Sequence, residues 1–162
     1  MRRTILLKIK WLILVGLIVF LDQVTKIYMT YILSFGETIK ILPFLDFTLL
    51  ANDGVAFSLF ANHAVSLSQV FIIISCLFSI YMIYWLFVLS DKQSVVMKIS
   101  FMLILGGAIG NLIDRVFYGY VIDFIHLFYR DMHWPVFNLA DTAISIGAFY
   151  IFIDLLKFKK NI

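Results

Sequence analysis

Ten carboxylates serve 162 residues, and several stand where a charge is costly. Asp22 and Lys26 fall four apart within an apolar run, so one helix face carries an acid and a base able to pair, the acid toward the N-terminus as preferred. Asn111, Asp114 and Arg115 fall at i, i+3 and i+4, and Asn138 and Asp141 at i and i+3, so each set looks one way from a helix. Asp123 is set in the string Val121-Ile122-Asp123-Phe124-Ile125, surroundings that raise a carboxyl pKa. A buried ion-pair network that fixes helix packing accounts for Asp22 with Lys26 and for Asp114 with Arg115 beside it. Asp123 and Asp141 have no Lys or Arg within four positions and are the candidate reactive acids.

Two carboxylates within a few ångströms of each other cannot both ionise cheaply and come to share a proton. The ionised one can then take a proton from water while the other donates to a carbonyl or a leaving amine. That chemistry needs no metal, no cofactor and no nucleophilic Ser or Cys, and none is expected here. Cys76 sits amid apolar residues as core packing, and His63, His126 and His133 lie in connections at spacings without a metal pattern.

The elements that must position these groups are membrane spans. With 63% apolar, 17% aromatic and 14% charged residues, the chain departs from soluble domains, which run to about 45–50% apolar and about 25% charged. One cysteine forms no internal disulfide, and a net charge of +3 is too small to suggest nucleic acid. Four apolar stretches, at 11–33, 65–89, 99–113 and 139–156, approach the roughly 20 residues a helix needs to cross a bilayer. The first imitates a secretory leader, with Arg2, Arg3, Lys8 and Lys10 ahead of an apolar run. The stretch from Asp22 to Lys26 offers no small-x-small cleavage site, so an uncleaved helix is expected.

Basic residues cluster before the first span, between the second and third (Lys92, Lys98) and after the fourth (Lys157, Lys159, Lys160), which puts both termini in the cytoplasm. The connections 34–64 and 114–138 then face outward. In the first of these, Leu45, Phe47 and Leu49 alternate with Asp46 and Thr48, a strand signal headed by Pro43. The expected fold is a mainly α polytopic membrane protein over residues 1–162. It is a single domain: a four-helix bundle with a small outer β-sheet and a short interfacial helix over Val55–Asn62. At 1.5 Å per residue from the inner-side lysines, Asp22 lies roughly 18 Å up its helix, Asn111 roughly 20 Å, and Asp114 and Asp141 roughly 24 Å. Three helices thus raise polar groups to one layer, where ionisable residues mark function. On this basis a membrane aspartyl hydrolase and a proton-coupled carrier or channel stand level, with a non-catalytic membrane scaffold as a third class.

Five segments in order separate them. Asp22-Gln23-Val24-Thr25-Lys26 resembles the D-Q-x-x-K of bacterial lipoprotein signal peptidases, the type II signal peptidases. Asn52 to Ser58 is similar to their N-x-G-x-A-F-S loop, and Gly110 to Arg115 to G-N-x-x-D-R. Gly119 to Phe124 is similar to G-x-V-V-D-F, and Phe137 to Asp141 to F-N-x-A-D. The departures, Val55 for Ala and Ile122 for Val, alter no polar group. The resemblance covers the chain from first span to fourth and implies an aspartyl endopeptidase of the bacterial inner membrane with its active site toward the outer leaflet. The catalytic pair would be Asp123 and Asp141. Asp22, Lys26, Asn52, Gly54, Asn111, Asp114, Arg115, Asn138 and Ala140 would shape the site and contact substrate or inhibitor. The implied partners are prolipoproteins carrying a diacylglyceryl group on the +1 cysteine, membrane lipids and globomycin-type inhibitors. No nucleic acid, metal or cofactor is implied, and a monomer is expected.

Overall fold

Apolar runs bounded by polar turns set the helices. The computed structural model of the chain describes residues 2–54 and 64–159; the expected interfacial helix and His63 lie outside the described residues. In chain order the elements are α1 (Arg2–Ile32), β1 (Thr38–Leu42), β2 (Leu45–Asn52), α2 (Ala64–Val88), α3 (Val95–Tyr118), β3 (Val121–Tyr129), β4 (Met132–His133) and α4 (Leu139–Lys159). A 3-10 turn at Ser90–Lys92 joins α2 to α3. Each helix contains a segment long and apolar enough to cross a membrane: Lys8–Ile32, Ser68–Val88, Val95–Tyr118 and Leu139–Leu156. Their large apolar side chains point outward, among them Ile13, Leu17, Phe20, Leu77, Ile80, Phe149 and Phe152, while Asp22, Lys26 and Asp114 are sealed inside. That inversion of the soluble pattern is what a lipid solvent selects.

Small residues bring the helices close. A methyl group on Gly107 would meet the main-chain oxygen of Ala140, and one on Gly147 that of Ser100, so α3 and α4 pack nearly backbone to backbone. Gly106 instead makes room for the side chain of Ile18 of α1. Between α1, α2 and α3 the interior is filled by Val15, Met82, Trp85, Leu86, Met102 and Leu105, with Trp85 and Phe101 in ring contact. At that end Lys8 of α1 donates to the main-chain oxygen of Phe87 and pairs with Asp91 at 2.7 Å, which ties α1 to the α2–α3 turn.

The two long connections meet at the other end in an antiparallel sheet of order β1-β2-β3-β4. Met29 and Leu33 from the end of α1 pack against Leu49, Ile122 and Phe124, so the sheet is seated on the bundle by its own core. The structure alters three details of the sequence reading. The third span does not stop before Asp114: α3 continues through Asp114 and Arg115 to Tyr118. Its stop signal is Gly119, in the left-handed conformation at φ 85°, whose N–H returns to the oxygen of Arg115. Pro43 sits in the turn between β1 and β2 instead of heading a strand. The period-two pattern of β2 is interrupted by a register shift between Phe47 and Leu50, which leaves Asp46 buried along with Leu49.

Candidate active site

Lys26 organises the buried end of the site. Its ammonium has three donors, and all three are used: Asp22 Oδ2 at 2.8 Å, Asp114 Oδ2 at 2.8 Å and Asn111 Oδ1 at 3.0 Å. Asp22 is therefore paired within its helix, but Asp114 pairs with Lys26 across the bundle and not with the neighbouring Arg115. Each carboxylate also grips main chain. Asp22 Oδ1 accepts from the N–H of Ala140 in the first turn of α4, where the helix dipole favours an anion, and Asp114 Oδ2 accepts from the N–H of Ile122 at the start of β3. Gln23 fills the remaining acceptors, donating to Asp114 Oδ1 at 2.9 Å, to Asp22 Oδ2 and to the oxygen of Gly110. Gly110 is required to be small because a methyl group there would run into the Asp22 carboxylate.

From this base two carboxylates are presented together. Pairing of β2 with β3 sets Leu50 opposite Asp123 and Asn52 opposite Val121. A bridge between Ile125 and Phe137 then delivers the chain directly into the cap of α4. Asn138 is that cap: its Oδ1 accepts from the N–H of Asp141 at 2.9 Å while Asp141 Oδ2 accepts from the N–H of Asn138 at 3.3 Å, the reciprocal bonds of a capping box. The Nδ2 of the same Asn138 donates to Asp123 Oδ1 at 2.7 Å, so one side chain and its backbone hold both acids.

Two further amides complete the cradle. Asn52 Nδ2 donates to Asp123 Oδ2 at 2.8 Å, and its Oδ1 is held by the N–H of Gly54, whose φ of 77° turns the backbone back onto it. Asn111 Nδ2 donates to Asp141 Oδ1 at 2.8 Å. The Asn111 amide can face only one way, because its oxygen accepts from Lys26 and from Asn138 Nδ2 at 3.0 Å. Burial above all, and then the Asp141 charge, outweigh the lowering by the Asn52 and Asn138 bonds and by Lys26, and leave the Asp123 carboxyl raised to about 6. Such a group keeps its proton up to about pH 6, which suits it to the donor's part in an acid–base pair.

The structure thus brings together Asp22, Lys26, Asn52, Gly54, Asn111, Asp114, Asp123, Asn138, Ala140 and Asp141. Arg115 stands at the edge of this group, close enough for the charges of Asp141, Asp114 and Asp123 to act on it but bonded to none of them. It donates to the oxygen of Asn111 at 3.5 Å, lies over the ring of Phe71 and lines a separate cavity of about 330 Å³ with Ser68, Gln69, Tyr118 and Tyr120. Among the described residues no cluster of His, Cys, Asp and Glu has the arrangement of a metal site. Sequence reasoning assigned Gln23 no role although it stood inside a quoted motif. It also read Asn138 and Asp141 only as sharing a face, where an Asn three residues ahead of an Asp at a helix start signals a capping box.

Known proteins resemble this chain over nearly its whole length. A family model described as Signal peptidase (SPase) II matches residues 14–157. A lipoprotein signal peptidase of Acinetobacter baumannii is 42% identical over 93% of this chain and 85% of its own length. Another, of Francisella tularensis subsp. novicida, is 43% identical over 95% of this chain and 96% of its own. A bacterial membrane enzyme solved by the in meso method superposes with a TM-score of 0.82 at 31% identity, covering 94% of this chain and 90% of that one. The chain, a multi-pass bacterial membrane protein, belongs to the signal peptidase II family.

Proposed function

We propose that this protein is an aspartic endopeptidase that removes the signal peptide from prolipoproteins, cutting before a diacylglyceryl-modified cysteine, with Asp123 and Asp141 as the reacting pair. The relatives' names supply the substrate class. The observation that carries the pair is Asn138, which binds both carboxylates and so fixes their separation. Asp141, ionised, takes a proton from a water as that water attacks the scissile carbonyl, and Asp123, protonated, donates to the carbonyl oxygen. As the tetrahedral intermediate collapses and the C–N bond breaks, Asp141 gives its proton to the leaving amine and Asp123 recovers one from the hydroxyl that becomes the new carboxyl group, so both acids end as they began. Asn52 and Asn111 hold the two carboxylates in place through the cycle. Lys26 lets the acids of the layer below lie close without repelling the pair.

The distribution of basic residues supports cytoplasmic termini, and with them a site toward the outer leaflet where a lipidated cysteine would lie. Globomycin-type peptides would occupy the same site, and a single copy contains every group named. A proton-coupled carrier is disfavoured by the bundle itself. Between the polar layer and Lys8 the interior between α1, α2 and α3 is packed with apolar side chains, which offer no relay.

In cells lacking their own enzyme, the wild-type chain should convert a lipidated precursor to its mature form. Asp123→Asn and Asp141→Asn, expressed at equal levels, should each leave the precursor intact. Full processing by either variant excludes that residue from the pair, and none by wild type returns the question to the carrier reading.

A further inference from the structure

Asp141 has a second aspect. While its Oδ1 and Oδ2 are held by Asn111 and Asn138, the side chain also forms part of the wall of an open groove of about 370 Å³ between the β4–α4 segment and α4. Trp134, Val136 and Phe137 form one side of it, with Leu127 of β3, and Thr142, Ser145 and Ile146 of α4 form the other. Apart from Asp141, the lining is apolar or carries at most a hydroxyl or, at Trp134, an indole N–H. The floor is low because Thr142 and Ser145 are small.

The groove does not end at the sheet. Thr142, Ser145, Ile146, Phe149 and Tyr150 fall at i, i+3, i+4, i+7 and i+8, so they form one stripe down α4. Ile146, Phe149 and Tyr150 are exposed on the flank of a membrane-crossing helix. From Asp141 to Tyr150 the stripe runs about 13 Å along the helix axis, the direction in which lipid tails lie. On the sheet side Leu127 and Trp134 are shared with a second, mostly apolar groove lined also by Phe44, Tyr129, Met132 and His133. One end therefore opens on lipid, and the wall at the other end contains a reacting carboxylate.

We propose that this groove seats an acyl chain of the substrate's lipid-modified residue, and that Ser145 and Ile146 set how well that chain is held. The proposal rests on the reading of the chain as a prolipoprotein peptidase and adds the place where the lipid is recognised. A peptide side chain would fill only the part of the groove beside Asp141 and make no use of the apolar stripe that continues down α4. An alkyl chain can lie in the groove and continue along the stripe without leaving an apolar environment. Recognition of this kind places the modified residue, and with it the adjoining scissile bond, beside Asp141, and it makes the lipid part of the binding energy instead of a passenger.

The test compares two synthetic precursors that differ only in their modified cysteine, one bearing palmitoyl and one bearing butyryl chains, cleaved by the full-length protein in nanodiscs. Ser145→Phe fills the floor of the groove. Because Ser145 is exposed, the larger ring need not enter the core. Ile146→Trp, also at an exposed position, is the second variant should the first fail to fold. The KM for the palmitoyl precursor should rise roughly tenfold, about 1.4 kcal/mol, the loss expected when about two methylenes are pushed out of the groove. KM for the butyryl precursor should change much less, and kcat for both should stay near the wild-type value. Equal rises in KM for the two precursors would assign the groove to a peptide side chain, and unchanged KM for both would show that it is empty during catalysis; either overturns the proposal. Failure of the wild-type protein to cut either precursor would instead overturn the peptidase reading, and the groove assignment with it.

Discussion

Replacing Lys26 by Met keeps much of the side chain's length and removes the one cation that Asp22 and Asp114 share. Both carboxylates are fully buried and each meets Lys26 at 2.8 Å. Breaking a buried ion pair by deleting one partner costs about 3–5 kcal/mol, because the survivor is left charged and dry. Here two survivors remain, although Ala140, Ile122 and Gln23 still donate to them, so the upper half of that range is the expectation. For a chain of this size about 1 kcal/mol moves the melting temperature by about 2–4 °C, which gives a fall of roughly 8–20 °C. Thermal unfolding of the purified variant in detergent micelles measures it. Adding Asp22→Asn and Asp114→Asn to Lys26→Met removes the stranded charges and should recover more than half of the loss. Cleavage should stay slow in that triple variant, because the Asn111 amide has lost one of the two donors that fix its orientation toward Asp141. A Lys26→Met protein that melts within about 2 °C of wild type would refute the idea that this cation balances two ionised acids.

Two further outcomes follow from the same geometry. Gly110→Ala drives a methyl group toward the Asp22 carboxylate and should destabilise by about 1–3 kcal/mol, read as a lower melting temperature together with a lower kcat; an unchanged melting point would mean that α1 can move aside freely. The pH profile of kcat/KM should fall on the alkaline side of about pH 6, since Asp123 must be protonated to act as the acid and its carboxyl is raised to about 6. The same shift means that the folded protein binds more protons than the unfolded chain between the ordinary carboxylate range and about 6. Asp123 therefore makes stability decline as pH rises through that window. Constant kcat/KM from pH 5 to 8 would remove Asp123 from the acid role.

Much of the fold was legible because apolar runs and their basic flanks are local signals. The common depth of Asp22, Asn111, Asp114 and Asp141 was legible too, since a helix converts residue count into height. What stayed hidden depends on tertiary pairing. β3 carries Asp123 in a continuous apolar run, which has no alternation to reveal a strand, and its register against β2 includes a shift that no local pattern announces. The partner of Asp114 was misjudged for a related reason. Arg115 is adjacent in sequence, yet successive residues on a helix point different ways, and the cation that reaches Asp114 comes from α1. Gln23 escaped notice because an amide in a span reads as mild polarity until its acceptors on α3 are seen.

The bond from the Ile122 N–H to Asp114 is a joint between a helix and a strand, and it grips main chain instead of a side chain. Ile122 also offers only its carbonyl oxygen to Asn138. The side chain at 122 is therefore free to drift among apolar residues of similar size, while the length of chain between Asp114 and Asp123 is not free at all. One residue added to or removed from that stretch would flip Asp123 to the opposite face of the sheet. This stretch should accept exchanged sequences from relatives in chimaeras and reject insertions and deletions, so that its history would be written in substitutions alone.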